Sequence, residues 1–362
     1  MPARLSPRAL VRARLARQFL VRPGPERASE VVRALGAVQA QDYAGASWAL
    51  ALRTPRATAQ DVERELTDGR ILRTHVLRPT WHFVAPADIR WMLALTAPRV
   101  KAAMAYHDRT FGVTPAVCRR SHAAIEQALA GGRQLTRAEL ARAIEDAGVP
   151  IASGQRLAGL VMRAELDALI CSGARRGRQS TYALLEERVP PAPALAREEA
   201  LLRLARIYFS TRGPATARDF AWWSGLTVAD AKHGIALAAG QLDHARLDGV
   251  EYWFAGDIPR RTPPTAHLLP NYDEYFIGYR DRTAVGGRLG HTRPVTGGNA
   301  LISNVAFVDG QLVGGWKRTL DAGAVVIHLT LQARLTAAER RRLSAAARRF
   351  GAFLSRPVAI RE

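Results

Sequence analysis

The 362-residue sequence predicts an α+β chain of three tandem winged-helix segments followed by a small C-terminal sheet or barrel. Three observations predict it. A helix, helix, basic-hairpin order stands in the middle of the chain; a similar order returns 80 residues later, from Thr136 to Thr216; and the texture changes to short alternating runs with Gly turns beyond residue 265.

The arginine-rich, amphipathic N-terminus "MPARLSPRALVRARLARQFL" lacks an apolar run with a small-residue cleavage site, so it reads as the first helix rather than a signal peptide. "LGAVQAQDYAG" places Gln39 and Gln41 at the end of a short amphipathic helix, before a glycine-containing turn. Ser29 starts that helix, and Thr58 with Asp61 starts the next. The hairpin "RTHVLRPTWHFV" then turns at Arg78 to Thr80. In the middle segment "QLTRAELARAIEDAGV" opens on the capping pair Thr136 and Glu139. "SGQRLAGLVMRAELDALI" follows at helical period, and Arg175, Arg176 and Arg178 form a Gly-flanked basic tip. In the third segment Thr216 and Asp219 repeat the capping spacing, and Asp248-Gly249 marks a hairpin turn. Proline-rich connectors at 188–194 and 259–270 place the boundaries. Winged helix 1 spans 1–85, winged helix 2 86–190, winged helix 3 191–260, and the β-barrel with its terminal helix 261–362. Asp309-Gly310 marks a turn within the last.

Composition narrows the function. Lys and Arg number 52 against 32 Asp and Glu, a net charge of +20, which calls for a polyanionic partner and favours nucleic acid. All but Lys101, Lys232 and Lys317 of these cations are arginine, whose planar fork pairs bidentately with phosphate. No apolar run reaches the roughly 18 residues a membrane-spanning helix needs, so no membrane partner is expected. Cys118 and Cys171 are the only cysteines, which excludes a disulfide framework and a four-cysteine zinc site and fits a reducing, cytoplasmic compartment.

Among chemistry-bearing side chains, His75 and His82 flank the first hairpin turn, where strand pairing could set them on one face. Two histidines without a third ligand make a poor metal site, so neither metal nor cofactor is expected. Arg73, His75, Arg78 and His82 are candidate channel residues, while Trp81 and Phe83 suit the core. "NYDEYFIGYRDR" interleaves Tyr272, Arg280 and Arg282 as candidate sugar and phosphate contacts, whereas Tyr275, Phe276 and Tyr279 stand at helical spacing and suit the core. "GGRLG" at 286–290 lacks the context of a phosphate loop; Arg288, with His291 and Arg293, is read instead as a loop that touches DNA.

Three strings, "VQAQD", "RTHVLRPTWHFVAPADIRWMLALTAPRV" and "LLPNYDEYFIGYRDR", together resemble the winged-helix family of bacterial DNA glycosylases typified by AlkZ, over nearly the whole chain. The resemblance implies three tandem winged helices followed by a C-terminal β-barrel, in a C-shaped molecule with a basic concave channel. It also implies hydrolysis of the N-glycosidic bond of N7-alkylated purines in duplex DNA, including bases tied into interstrand crosslinks, in repair or in self-resistance to a genotoxin. The family's motif of two glutamines around a variable residue, with Asp in the last place in a subset, falls on Gln39, Ala40 and Gln41 as catalytic residues. An N7-alkylated purine is already cationic and leaves without protonation. What remains is to hold a water against the sugar and to stabilise an oxocarbenium-like transition state, which amide carbonyls can do. Asp42 either adds negative potential there or caps the turn before Gly45. The expected enzyme is monofunctional, without lyase activity, and a monomer around DNA. The reading from a different class is a non-catalytic winged-helix DNA-binding protein or transcriptional regulator.

Overall fold

The structure is a computed structural model and describes residues 3–21, 24–289, 303–321 and 323–361. Local signals in the sequence fold as local signals. Thr58 Oγ1 accepts from Asp61 N (3.2 Å) while Asp61 Oδ2 accepts from Thr58 N (2.9 Å), opening the helix Ala59–Thr67. The same reciprocal pair opens Arg137–Asp146 through Thr136 and Glu139, and Ala217–Ser224 through Thr216 and Asp219. Beside Thr136 and Arg176, the Glu139 carboxyl is held down to about 2, first by the Thr136 backbone bond.

The chain divides into two compact units, one of Glu63–Leu201 with Ser224–Leu226, the other of Met1–Val62, Leu202–Trp223 and Thr227–Glu362. The first unit begins with the hairpin Leu72–His75 and Trp81–Val84 and the long helix Pro86–Ala103. It continues as helix Pro115–Leu129, strand Leu135–Thr136, helices Arg137–Asp146 and Gly154–Leu166, and strands Ile170–Ser172 and Thr181–Leu184. The last two strands pair antiparallel, and Leu135–Thr136 joins the outer edge of Thr181–Leu184. Ile125, Leu129, Leu140, Ile144, Leu160 and Val161 bury the apolar faces of the three helices in one core. Beyond the strands, Arg176 bridges Gln179, and Gly177 at φ +60° makes the tight tip.

In the second unit the N-terminal helix Pro7–Arg17 is capped by Ser6. The short strand Ala3–Arg4 pairs parallel with Asp243–Leu247, which turns back onto Val250–Phe254. Asp248 (φ +49°) and Gly249 (φ +78°) make that turn, and Asp309 (φ +50°) and Gly310 (φ +75°) repeat it between Val305–Val308 and Gln311–Leu320. Two positive φ values match the right-handed twist of the flanking strands.

The C-terminal region departs from expectation. Its five strands, Ala266–Leu269, Val305–Val308, Gln311–Leu320, Val325–Leu331 and Val358–Arg361, lie side by side in sequence order, and no closed barrel forms among the described residues. Alternating apolar runs with Gly turns are common to open and closed sheets, so the pattern could not tell them apart. Here the helix Ala337–Phe353 covers the apolar face: Phe350 meets Trp316 edge-on at 5.1 Å and Trp48 at 5.0 Å. A helix that buries the face makes closure unnecessary.

Candidate active site around Gln39 and Gln41

The helix Ala28–Leu35 stops at Gly36 (φ +77°), and Ala37–Gln39 is a short strand rather than the helix end expected from the sequence. A positive φ that glycine alone adopts readily ends the helix one turn early. Gln39 is buried and Gln41 exposed, with Ala40 fully buried between them. Asp42 caps the helix Tyr43–Ala51, its Oδ1 accepting from Gly45 N at 3.1 Å, so Gly45 lies in a helical first turn.

The backbone of this strand is held by side chains. Arg212 donates to Leu35 O (Nη1, 2.8 Å) and to Ala37 O (Nη2, 2.9 Å), and two of its nitrogens reach Glu274 Oε2 at 2.7 and 3.1 Å. Glu274 Oε1 accepts from Gln39 N at 2.9 Å, and Trp223 Nε1 donates to Oε2 at 2.9 Å. The guanidinium also lies 4.3 Å from the Trp223 ring centroid. Arg212 and Glu274 are wholly excluded from solvent.

A second buried pair lies beside it. Arg53 makes two bonds of 2.8 Å to Asp273, a third to Ala49 O, and a fourth to Gln18 Oε1. Burial works against the Arg53 charge, but the Asp273 carboxylate outweighs it and the guanidinium pKa is raised. Asn271 N donates to Asn304 Oδ1, while Asn271 Oδ1 is buried with no hydrogen-bond partner among the described residues. That oxygen faces Gly45, where an added Cβ would sit 2.9 Å from it and 3.1 Å from Asp42 Oδ2. Glycine at 45 is what lets the Asp42 cap and the Asn271 amide approach this closely.

None of Asn271, Asp273, Glu274, Arg212 and Arg53 was singled out from the sequence as a site residue. The readable signal was two adjacent acids inside the aromatic run "NYDEYFIGY", and single arginines closing the apolar run "SWALALR" and the segment "YFSTR". Charges in such runs are buried only when paired.

In the first hairpin the register pairs His75 with Trp81 and Thr74 with His82, which corrects the expectation that the two histidines share a face. Adjacent positions along a strand alternate sides, and these pairings put His75 and His82 on opposite ones. His75 is buried against Glu165 through Nδ1, and its ring lies tilted by 42° against Trp81 at 4.4 Å. His82 is fully buried with Nδ1 2.9 Å from Thr80 O. Arg73 lies with its guanidinium 4.3 Å from the Trp81 ring centroid, and Arg78 is half-buried. Phe83 is fully buried, whereas Trp81 stays half-buried.

At the basic tip Arg175 is half-buried on Glu63 (3.0 Å), Arg176 is exposed although it reaches Glu139 (2.8 Å), and Arg178 is exposed. Tyr275, Phe276 and Tyr279 are buried, as their spacing suggested; burial pushes the Tyr279 phenol up to about 12. Tyr272 is half-buried, Arg280 exposed, and Arg282 buried with Nε on Phe276 O at 2.7 Å. Arg288 pairs with Glu339 at 2.8 Å and borders a cavity of about 950 Å³ that neither Gln39 nor Gln41 lines. His291 and Arg293 lie outside the described residues. Among the described residues no cluster of three or more His, Cys, Asp or Glu could hold a metal ion, and no helix is long and apolar enough to cross a membrane.

A profile of the family described as DNA glycosylase AlkZ-like matches residues 32–353, and the chain belongs to that family. Among individual proteins, it is 27% identical over 325 residues to a Streptomyces sahachiroi protein named interstrand DNA cross-link repair glycosylase, spanning 84% of this chain and 85% of that one. The solved structure of the Streptomyces sahachiroi DNA glycosylase AlkZ is similar in fold, with a TM-score of 0.78 and 24% identity, covering 99% of this chain and 100% of that one.

Proposed function

We propose that this chain is a monofunctional DNA glycosylase that hydrolyses the N-glycosidic bond of N7-alkylated purines, interstrand crosslinks included, with Gln39 and Gln41 holding the attacking water. The observation that carries the reading is the placement of the two amides. One is buried and one exposed, on a segment whose backbone is bound by a buried ion pair, within a chain of a DNA glycosylase family. The relative named as a cross-link repair glycosylase supports the choice of substrate. The cationic base departs without a general acid. The amide carbonyls accept from the water, orient it toward the anomeric carbon and face the developing positive charge of the sugar. The motif contains no amine, so no Schiff base forms there and the abasic strand is left intact.

Duplex DNA is engaged by the arginine-rich surface. The middle segment is read as a winged helix whose tip, Arg176 and Arg178, reaches phosphates, and Arg73 and Arg78 supply further phosphate contacts. No further protein subunit is needed for this chemistry, and a monomer suffices.

Gln39→Ala and Gln41→Ala each lower single-turnover release of 7-methylguanine by roughly tenfold to a thousandfold, about 1.4 to 4 kcal/mol, while DNA affinity and melting temperature hold. The double variant loses less than the product of the two, because both amides act on one water. Wild-type protein that binds alkylated or crosslinked duplex and releases no base would make the chain a non-catalytic DNA-binding protein instead.

A further inference from the structure

We infer that Arg212 and Glu274 are positioning residues for Gln39: the buried ion pair takes the place of a neighbouring β-strand along one edge of the catalytic segment. The inference rests on the reading of Gln39 as a water-holding residue. Along an extended chain, alternate residues point their N–H and C=O groups to the same edge. On this edge Ala37 O accepts from Arg212 and Gln39 N donates to Glu274, while Arg212 also holds Leu35 O at the end of the preceding helix. Along the strand one carbonyl meets a cation and one N–H meets an anion, the donor and acceptor pattern a paired strand would offer.

The pattern makes the register of Gln39 an all-or-none matter. A slide of the strand by one residue would carry the Gln39 amide about 3.3 Å along the strand axis. Ala40 is fully buried and small, so apolar packing alone does little to oppose that slide. The ion pair opposes it, because the displaced strand would present a carbonyl to the carboxylate and an N–H to the guanidinium. Trp223 holds the device from behind, donating to Glu274 Oε2 while its ring backs the guanidinium. Since the two charges cancel locally, their effect at the sugar is one of placement rather than of field.

The inference predicts a kinetic signature that general destabilisation would not produce. Glu274→Gln keeps the shape but cannot accept from Gln39 N, Arg212 and Trp223 together. It lowers single-turnover excision of 7-methylguanine by roughly tenfold to a hundredfold while the Kd for the same duplex stays within about twofold. In a Gln39→Ala background the same substitution costs less than about threefold, because there is no amide left to misplace. Should Glu274→Gln not fold, Trp223→Phe removes one bond to the carboxylate and keeps an aromatic ring; its expected loss is about threefold, again cancelled by Gln39→Ala. The inference is overturned if the losses persist undiminished in the Gln39→Ala background, if the variants excise at the wild-type rate, or if affinity falls in step with rate. A Gln39→Ala protein with full activity would instead defeat the water-holding role itself.

Discussion

Arginine serves two opposite ends in this molecule, and the contrast between Arg53 and Arg212 on one side and Arg176 and Arg178 on the other shows how. The first two are fully buried, each bound to a carboxylate and to the backbone, Arg53 through one carbonyl and Arg212 through two. The latter two stand exposed at a hairpin tip. A guanidinium in a dry interior is committed to its partners, because leaving one of them unmatched costs the full desolvation of a charge. At the surface its interactions are weak and screened, so it can exchange them for a phosphate. The 52 Lys and Arg residues therefore overstate the cations available to DNA, while the net charge of +20 stands, because each of these buried arginines is matched by a buried acid. Some of the arginines are fasteners, and one of those fasteners, Arg212, holds the segment that carries Gln39.

The sharpest way to break the comparison is to remove a fastener. Arg53→Met leaves Asp273 buried without its cation, and unfolding in denaturant is expected to show a loss of about 3–5 kcal/mol. A loss below about 1 kcal/mol would mean that Arg53 behaves like its surface counterparts.

A slightly smaller effect comes from the histidine beside it. His267 is buried in the strand Ala266–Leu269, and burial, with Arg349 and Arg53 nearby, lowers its pKa from 6.5 to about 4. Its folded value lies below its unfolded one. The unfolded chain therefore takes up a proton first as pH falls, and the stability present above about 6.5 is lost between there and about 4. The full loss is roughly 3 kcal/mol, and His267→Asn should flatten the pH dependence of denaturant midpoints in that window. Equal slopes for the two proteins would show that the buried cations leave His267 free to charge.

The smallest effect on stability is expected at the tip. Arg176→Ala with Arg178→Ala shifts unfolding by no more than about 0.5 kcal/mol. It makes the salt dependence of duplex binding shallower by about 0.9 log unit per log unit of salt for each phosphate that is no longer neutralised. An unchanged slope would take the tip off the DNA path and leave the net charge to act elsewhere.

Much was legible before any coordinates. The caps at Thr58, Thr136 and Thr216, the Asp-Gly turns at 248–249 and 309–310, and the buried aromatics Tyr275, Phe276 and Tyr279 all follow from residues a few positions apart. Such signals are read locally because the interaction is local. The Gln39–Gln41 pair was visible for another reason, the resemblance of its string to a family motif. The face assigned to His75 and His82 went wrong because hairpin register depends on where the turn closes, and a shift of one residue reverses the side. The barrel went wrong because sheet closure depends on what covers the sheet.

By itself, then, the sequence determined the helix starts at Thr58, Thr136 and Thr216, the tight turns, the positive charge and the paired amides, each encoded within a few residues or in composition. Only the tertiary structure decided that Arg53 meets Asp273 across 220 positions, that Arg212 meets Glu274 across 62, and that the second of these pairs grips the strand ending at Gln39. The physical reason is that a charged residue in a sequence carries no mark of its partner. Burial makes the partner obligatory, and only the assembled core determines which one lies within reach.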